Sequence, residues 1–453
     1  MQKTRVRRAG ALLVGLAMFA AACGDDEEAA TTTAAVETTE AAVDTTEAVT
    51  DTTEAMVDTT VAGGTEGVCE GESDGQLHIG TVLPQTGNLA FLGPPEFAAV
   101  ELAVNDINAA GGVLGQDVLL TQGDSGDTST DIANQTVDAG LAAGVDAFIG
   151  AASSGVSFTF IDKLVENCKI HFSPANTAPD FTTYDEGGLY FRTAPSDVLQ
   201  GRVLADLMIE EGITNAVFMA LQDPYGEGLL KYSTEPYADQ GGEVVDSFTY
   251  DPTLANFDAE VDRVVSADPE ALVLIGFAES AQILTGLFEN GFTPDVKKIY
   301  LVDGNVGNAL AEGFEPGAFL GIKGTLPAAE TTEDFKDALL AVDPELTDYS
   351  YAPESYDAVV ITALAAAVVG SDDPGLIATA INGVTRDGEK CTTYADCIAL
   401  IEAGTDIDYD GPSGPQTFGP EGEPTEASFQ ILSYDETNNV YGSIAIEYKF
   451  AKI

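Results

Sequence analysis

The chain has 453 residues, 45% of them hydrophobic, so it is long enough to build more than one packed core. Its 18 Lys and Arg residues are outnumbered by 75 Asp and Glu residues, which gives a formal net charge of -57. A charge of that size repels phosphate backbones and anionic lipid surfaces, so nucleic acid is not an expected partner. The acids lack the spacing of a calcium loop and indicate a solvated surface.

The first 23 residues have the pattern of an export signal. Basic residues precede an apolar run from Ala9 to Ala22 that is too short to stay in a membrane as a spanning helix. The tetrapeptide AAAC that ends at Cys23 resembles the bacterial lipobox, although that pattern favours Leu where Ala20 stands. The resemblance implies a lipid on Cys23, and ordinary cleavage near the same point is the alternative.

Residues 24–68 contain almost no large apolar side chains and include the consecutive heptads TTEAAVD, TTEAVTD and TTEAMVD. A coiled coil needs a continuous apolar seam, which these heptads do not provide. The composition predicts a disordered, self-repelling linker. We expect it to hold a folded body, beginning near Leu77, away from the membrane.

From Leu77 onward, short apolar strands alternate with amphipathic helices, and the alternation starts again after Ser196. Strands are expected at HIGTVLP, DVLLTQGD, VDAFIGA, KIHFSPA and GLYFRTAP in the first series, and at NAVFMAL, EVVDSFTY, ALVLIGF and KIYLVDG in the second. This alternation predicts two parallel, doubly wound α/β sheets with ligand sites beyond the carboxyl ends of the strands.

The chain after Gly321 does not have enough strands for a third domain. Helices are expected near residues 332–341, 354–369 and 374–381, and the end of the chain predicts two strands joined by a turn at Asn438 and Asn439. These pieces are expected to complete the two earlier lobes, so that the chain passes between them more than once.

Six segments resemble, in order, the family of the leucine/isoleucine/valine-binding protein, a group of type 1 periplasmic solute-binding proteins. They are NDINAAGGVLGQ, IGAASSG, SPANTAPDFT, YFRTAPSD, DPYGEG and LVDGNVGN. The resemblance implies an α/β fold of two Rossmann-like, doubly wound lobes joined by three hinge crossovers. The crossovers are expected near residues 193–197, 323–326 and 414–419, with residues 77–195 and 326–415 in the N-terminal lobe and residues 196–325 and 416–453 in the C-terminal lobe.

The same resemblance implies a function. It indicates the extracytoplasmic, lipid-anchored, monomeric substrate-binding subunit of an ABC importer, with a permease and an ATPase as partners and no cofactor or metal. The favoured ligand is a small amino acid of the branched-chain type. A ligand-sensing ectodomain of the same fold, and an amide or urea-like solute as ligand, remain open alternatives.

An amino acid offers a carboxylate, an ammonium group and a side chain. Ser153 and Ser154 follow a strand and begin a helix, where free N–H groups favour an anion, unless the two serines only cap that helix. The resemblance implies that Ser154 contacts the ligand carboxylate. It also implies that Ala175, through its carbonyl, and Thr177, through its hydroxyl, contact the carboxylate and ammonium, although PANTAP is otherwise ordinary turn chemistry.

On the other lobe, the resemblance implies that Asp303 contacts the ligand ammonium, where many relatives carry the longer Glu. An exposed turn Asp is the alternative, and an acid that binds ligand is expected to face a water-filled cleft when the site is empty. Tyr225 and Phe277 match aromatic positions that close over the ligand, although aromatics at strand ends are often only core. Leu92 stands where a relative has an aromatic residue, which implies a more open side-chain pocket.

Enzymatic activity is not expected. The chain has only two histidines, His78 and His171, both in predicted strands, and no G-x-S-x-G elbow surrounds the two serines. Apart from Cys23, the four cysteines form an even number in a chain expected to be exported, which predicts two disulfides. The close pair Cys391 and Cys397 would close a small loop, and Cys69 would then bridge to Cys168.

The lipobox resemblance can be tested by changing Cys23→Ser. The thiol is the group that carries the lipid, so the variant should leave the membrane fraction or accumulate as an unprocessed precursor. Detergent partitioning and the mass of the mature protein measure the two outcomes. Partitioning and mass identical to those of the unchanged chain would remove the lipoprotein hypothesis.

Overall fold

The computed structural model describes residues 67–441 and 447–452. The predicted export signal, Cys23 and nearly all of the predicted linker lie outside these residues. The described chain begins earlier than expected, because residues before Leu77 are attached to the folded body. The N–H of Val68 donates to the carbonyl of Gly375, and Asp372 accepts hydrogen bonds from the N–H groups of residues 74–76.

The first sheet contains five parallel strands in the order β2-β1-β3-β4-β5. They are β1 (His78–Val82), β2 (Leu119–Thr121), β3 (Ala147–Gly150), β4 (Ile170–Ser173) and β5 (Tyr190–Arg192). The intervening helices are α1 (Gly93–Ala109), α2 (Ile132–Ala143), α3 (Ser154–Ser157) and α4 (Ile161–Glu166). The order 2-1-3-4-5 is that of a doubly wound sheet, which confirms the predicted α/β class.

The second sheet repeats that order and adds two antiparallel strands, giving β15-β14-β10-β9-β8-β6-β7. Its strands are β6 (Asn215–Leu221), β7 (Glu243–Tyr250), β8 (Ala271–Ile275), β9 (Lys298–Leu301), β10 (Lys323–Pro327), β14 (Glu426–Ser433) and β15 (Glu447–Lys452). The helices of this part are α5 (Asp197–Glu210), α6 (Pro224–Asp239), α7 (Asp258–Ala267) and α8 (Ser280–Glu289). Residues 323–326, expected as a crossover, are therefore part of a strand of this sheet.

The segment between β10 and β14 packs mainly on the first sheet. It contains α9 (Glu333–Val342), α10 (Ala352–Val369), α11 (Pro374–Ile381), α12 (Tyr394–Glu402) and a small sheet of β11 (Glu389–Cys391), β12 (Ile407–Gly411) and β13 (Gly414–Pro415). Within the described residues, only α10 is long and apolar enough to cross a membrane. Since 83% of it is buried against neighbours such as α1, it is a core helix.

The two predicted disulfides are present in the structure. Cys69 is bonded to Cys168 and Cys391 to Cys397, with sequence separations of 99 and 6 residues. The first bridge attaches the start of the described chain to the turn before β4. The second joins β11 to the first turns of α12.

The two bridges should differ in how much they stabilise the protein. Closing a loop of about 100 residues removes more unfolded-state entropy, worth about 4.7 kcal/mol, than closing a loop of a few residues, worth about 2 kcal/mol by the same relation. Replacing Cys69 and Cys168 together by Ala should therefore lower the free energy of unfolding more than replacing Cys391 and Cys397. Urea unfolding measures both double variants, and a larger loss from the short loop would contradict this account.

Buried acids lie beneath the start of α10. Burial raises the pKa of Glu354 to about 8 and that of Asp357 to about 7. Glu96, on α1, is fully buried without a hydrogen-bond partner among the described residues, and burial together with the charge of Glu354 raises its pKa. These carboxyl groups retain their protons in the folded state at a pH where the unfolded chain has released them.

The raised pKa values predict the direction of the pH dependence of stability. The folded state binds more protons than the unfolded chain, so this contribution is fully present below about pH 4 and is lost as the pH rises toward 8. The midpoint temperature of thermal unfolding of the ligand-free protein should decrease as the pH is raised from 5 to 8. Glu354→Gln should reduce that fall, and a midpoint that rises over this interval in the unchanged protein would contradict the assignment.

Candidate functional site

The predicted site residues converge on one cavity between loops of the two large sheets. The cavity is lined by Leu92, Ser153, Ser154, Ala175, Tyr225, Phe277 and Asp303, which are all of the predicted binding residues except Thr177. Four further lining residues were not predicted, namely Leu89, Ala152, Gly304 and Tyr351. Only about 10 Å³ of this space admits the centre of a water-sized sphere, which is room for about one water molecule, so a solute would bind only after the walls move apart.

The two serines follow the carboxyl end of β3. Ser153 caps α3, since its Oγ accepts from the N–H of Val156 at 3.3 Å, and Ser154 Oγ accepts from the N–H of Ala178 at 3.3 Å. The expected helix start is present, but α3 has only four residues. Gly, Val, Ser, Phe and Thr follow Ser154, and these residues are weak helix formers. A long helix dipole is therefore not available to an anion here.

The loop of residues 174–179 is held against the end of β3. Ser173 Oγ accepts from the N–H groups of Ala175 and Asn176 at 3.2 and 2.9 Å, and the Asn176 amide donates to the carbonyls of Ala151 and Ala152. Thr177 is 1% exposed, and its Oγ has no hydrogen-bond partner among the described residues. It lies behind the cavity wall that Ala175 forms.

Arg192, at the end of β5, fixes the same loop. Its Nη1 donates to the carbonyls of Asn176 and Ala178, at 3.2 and 2.9 Å, on either side of Thr177. The guanidinium is fully buried and forms an ion pair with Glu423, whose Oε2 accepts from Nε at 2.8 Å. A buried cation requires such compensation, so this pair stabilises the loop conformation. Sequence patterns gave no signal for it, because the two residues lie far apart in the chain.

Asp303 follows β9 and is only 4% exposed. Its Oδ1 accepts hydrogen bonds from Gln200 Nε2 and Tyr225 Oη, both at 2.8 Å, and its Oδ2 accepts one from Tyr351 Oη at 2.7 Å. The expectation that Asp303 faces open water is wrong, because two tyrosines and a glutamine cover it. Burial raises the pKa of Asp303, and the hydrogen bonds from Tyr351, Tyr225 and Gln200 oppose that shift.

The aromatic wall is formed by Tyr225 and Phe277. Their rings are stacked with centroids 5.5 Å apart and an angle of 10° between planes. Gly304 permits this packing, because a Cβ at that position would lie 2.9 Å from the Phe277 ring. Phe277 also borders two larger cavities beside the small one.

The site has the chemistry of binding. Among the described residues, no group of three or more His, Cys, Asp or Glu side chains could hold a metal ion. The His78 ring is hydrogen-bonded to the Thr121 hydroxyl, and His171 is buried between the rings of Phe160 and Tyr190. Neither histidine lies beside a serine of the cavity. Burial lowers the pKa of His171 to about 3, which keeps it neutral.

Comparison with known proteins identifies the family. The model of the periplasmic binding protein family matches residues 76–438. The chain is 29% identical over 352 residues to a Leu/Ile/Val-binding protein homolog 3 of Brucella melitensis, covering 74% of this chain and 89% of the relative. It is 24% identical over 349 residues to BasB, a chemotactic signal transduction system substrate-binding protein of Halobacterium salinarum, covering 74% of this chain and 82% of BasB.

A solved structure supports the fold independently. The branched-chain amino acid transporter substrate-binding protein LivJ of Streptococcus pneumoniae, in complex with isoleucine, superposes with a TM-score of 0.68 at 22% identity. The superposition covers 83% of this chain and all of LivJ. With the family match over most of the sequence, this confirms the expected fold and an extracytoplasmic, solute-binding family rather than an enzyme family. The chain belongs to the periplasmic binding proteins, in the type 1 family of the leucine/isoleucine/valine-binding protein.

Proposed function

We propose that this protein is the substrate-binding subunit of an ABC importer and captures a small amino acid, preferably branched-chain, between two closing lobes. The observation that carries the proposal is the lining of this cavity, in which one carboxylate, Asp303, stands among apolar and hydroxyl-bearing side chains without a Lys, Arg or His. An acid without a neighbouring base selects an amine, and the apolar wall selects an apolar side chain.

The ligand is proposed to bridge the two sheets. Asp303, from the second sheet, and the carbonyl of Ala175 hold the ammonium group, and the hydroxyls of Ser154 and Thr177, from loops of the first sheet, hold the carboxylate. Leu92, Tyr225 and Phe277 enclose the side chain, and Ser153 supports the loop. The names of the Brucella melitensis and Streptococcus pneumoniae proteins support the choice of a branched-chain amino acid.

The importer assignment includes features that lie outside the cavity. We propose that Cys23 carries a lipid, that the linker of residues 24–68 spans the distance to the outer face of the cell membrane, and that the monomeric body delivers its ligand to a permease driven by an ATPase. The acidic surface, from a net charge of -57, keeps the body away from anionic lipids and is consistent with a tether of this kind.

Sensing is a second candidate, and one observation favours it. BasB, a relative over 82% of its length, is named as a chemotactic signal transduction protein. Deleting the gene distinguishes the two functions. Loss of labelled amino-acid uptake supports import, whereas unchanged uptake with loss of a behavioural or transcriptional response to the amino acid supports sensing.

A thermal-shift screen against amino acids, small amides and urea tests the proposed ligand class. A ligand at 100 times its dissociation constant adds about 2.7 kcal/mol to the stability of the folded state. Leucine, isoleucine or valine should therefore raise the midpoint by several degrees. A shift with amides or urea and none with amino acids would replace the amino acid by the alternative solute class.

Asp303→Asn should lower the affinity for the amino acid by about thirtyfold or more, because removing one partner of a buried charge pair costs roughly 2–5 kcal/mol. Asn keeps the shape that Gln200 and the two tyrosines enclose. Asp251→Asn is the matched control, since Asp251 is an exposed acid after β7 whose carboxylate accepts hydrogen bonds from Thr253 in its own turn. Calorimetric titration measures both variants, and an affinity of Asp303→Asn within twofold of the unchanged protein would assign Asp303 a purely structural role.

A further inference from the structure

Asp197 is a second buried acid beside the proposed ammonium site, and neither the family resemblance nor the sequence pattern assigned it a role. It is the first residue of α5 and is fully buried. Neither of its carboxyl oxygens has a hydrogen-bond partner among the described residues. A buried carboxylate without partners is costly, so this group is expected to carry a proton or to await a donor.

The surroundings of Asp197 connect it to the binding cavity. Its N–H donates to the carbonyl of Thr177 at 2.8 Å, and the Thr177 hydroxyl is also without a partner in the described chain. Gln200 lies three residues further on α5, on the same helix face, and donates to Asp303 at 2.8 Å. Asp197 itself does not line the cavity. It therefore acts on a ligand through Asp303 and Thr177.

Other charged and titratable groups around Asp197 do not neutralise it. Arg192, on β5, is already paired with Glu423, while Asp223 and Tyr225 at the start of α6, and Tyr351 before α10, supply no positive charge. Burial and the charge of Asp303 raise the pKa of Asp197 well above its ordinary value, and the nearby Thr177 hydroxyl and Arg192 only partly oppose this. Two neighbouring carboxyl groups in a dry site do not both ionise readily.

We propose that Asp197 and Asp303 share one proton while the cleft is empty, and that the ammonium group of the ligand displaces this proton into solvent on binding. This inference rests on the proposed capture of an amine-bearing ligand. The pair with its proton carries one negative charge, and the doubly ionised pair with an ammonium group also carries one. Ligand entry thus leaves the net charge of the dry site unchanged, and Asp197 becomes the group that sets the pH dependence of affinity.

The hydrogen bonds explain how the proton is divided. Asp303 accepts from Gln200, Tyr225 and Tyr351, so its charged form is stabilised, whereas Asp197 has only the nearby Thr177 hydroxyl to stabilise its charge. The shared proton therefore resides mainly on the Asp197 side of the pair. Because binding releases it, affinity rises with pH below the upper pKa of the pair, by up to tenfold per pH unit.

The test is calorimetric titration with L-leucine between pH 5 and pH 7, in pairs of buffers with different ionisation enthalpies. The unchanged protein should release close to one proton per leucine at the acidic end, and its dissociation constant should fall as the pH rises. Asp197→Asn should release none and should bind with an affinity that is flat across the interval. Glu96→Gln is the control, since it removes a buried, unpartnered acid that does not line the cavity, and it should release protons as the unchanged protein does.

Leucine binding without proton release by the unchanged protein, or equal release by Asp197→Asn, would overturn the proton-sharing pair and leave the proposed function intact. If Asp197→Asn does not fold, the number of protons that the unchanged protein releases per bound leucine still tests the proposal. An infrared measurement on the empty protein covers the case in which leucine does not bind. The protonated carboxyl band should lose intensity in Asp303→Asn as well as in Asp197→Asn if the proton is shared, and a band unchanged in both variants would overturn the pair.

Discussion

The burial of the Asp303 carboxylate is the constraint on which the binding region depends. The group lies at the end of β9, but its three donors come from α5, α6 and the residue before α10. Since α10 packs on α1 and the first sheet, the bond from Tyr351 joins the two halves of the protein directly at the cavity. A charge that needs donors from both halves favours a state in which the halves are close together.

The same contacts connect the cavity to the segments between the sheets. Gln200 bonds simultaneously to Asp303 and to the carbonyl and hydroxyl of Thr325 on β10, and Thr193, after β5, donates to the backbone of Glu354. A ligand can shift an opening equilibrium only by its difference in affinity for the two states. In the proposed pose that difference arises at Asp303, because the tyrosines and the ligand can satisfy this acid together only when both sheets contribute.

Much of the fold follows from local sequence, and much of the site does not. The strands β6 and β7 coincide with the predicted NAVFMAL and EVVDSFTY, and α11 begins and ends as expected, because apolar runs and a capping Asp-Pro pair mark their limits. The small sheet β11–β13 and α12 were not predicted, since their strands are short and pair only through tertiary contacts. Family motifs supplied Ser154, Ala175 and Asp303, whereas Tyr351 and Gln200 have no local signal, and Arg192 and Asp197 lie in the YFRTAPSD segment without a role assigned to them. Each of them matters through a partner distant in the chain.

The shorter acid at position 303 can be understood from these distant partners. A Glu at this position would place its carboxylate one methylene further from the strand, whereas Asp303 is reached by the hydroxyls of Tyr225 and Tyr351. Those hydroxyls take up one lone pair on each carboxylate oxygen, and Gln200 takes up another on Oδ1. The lone pair that remains free for an ammonium group is mainly on Oδ2, the oxygen that accepts from Tyr351. In the proposed pose, the shorter side chain therefore fixes the direction from which an amine approaches.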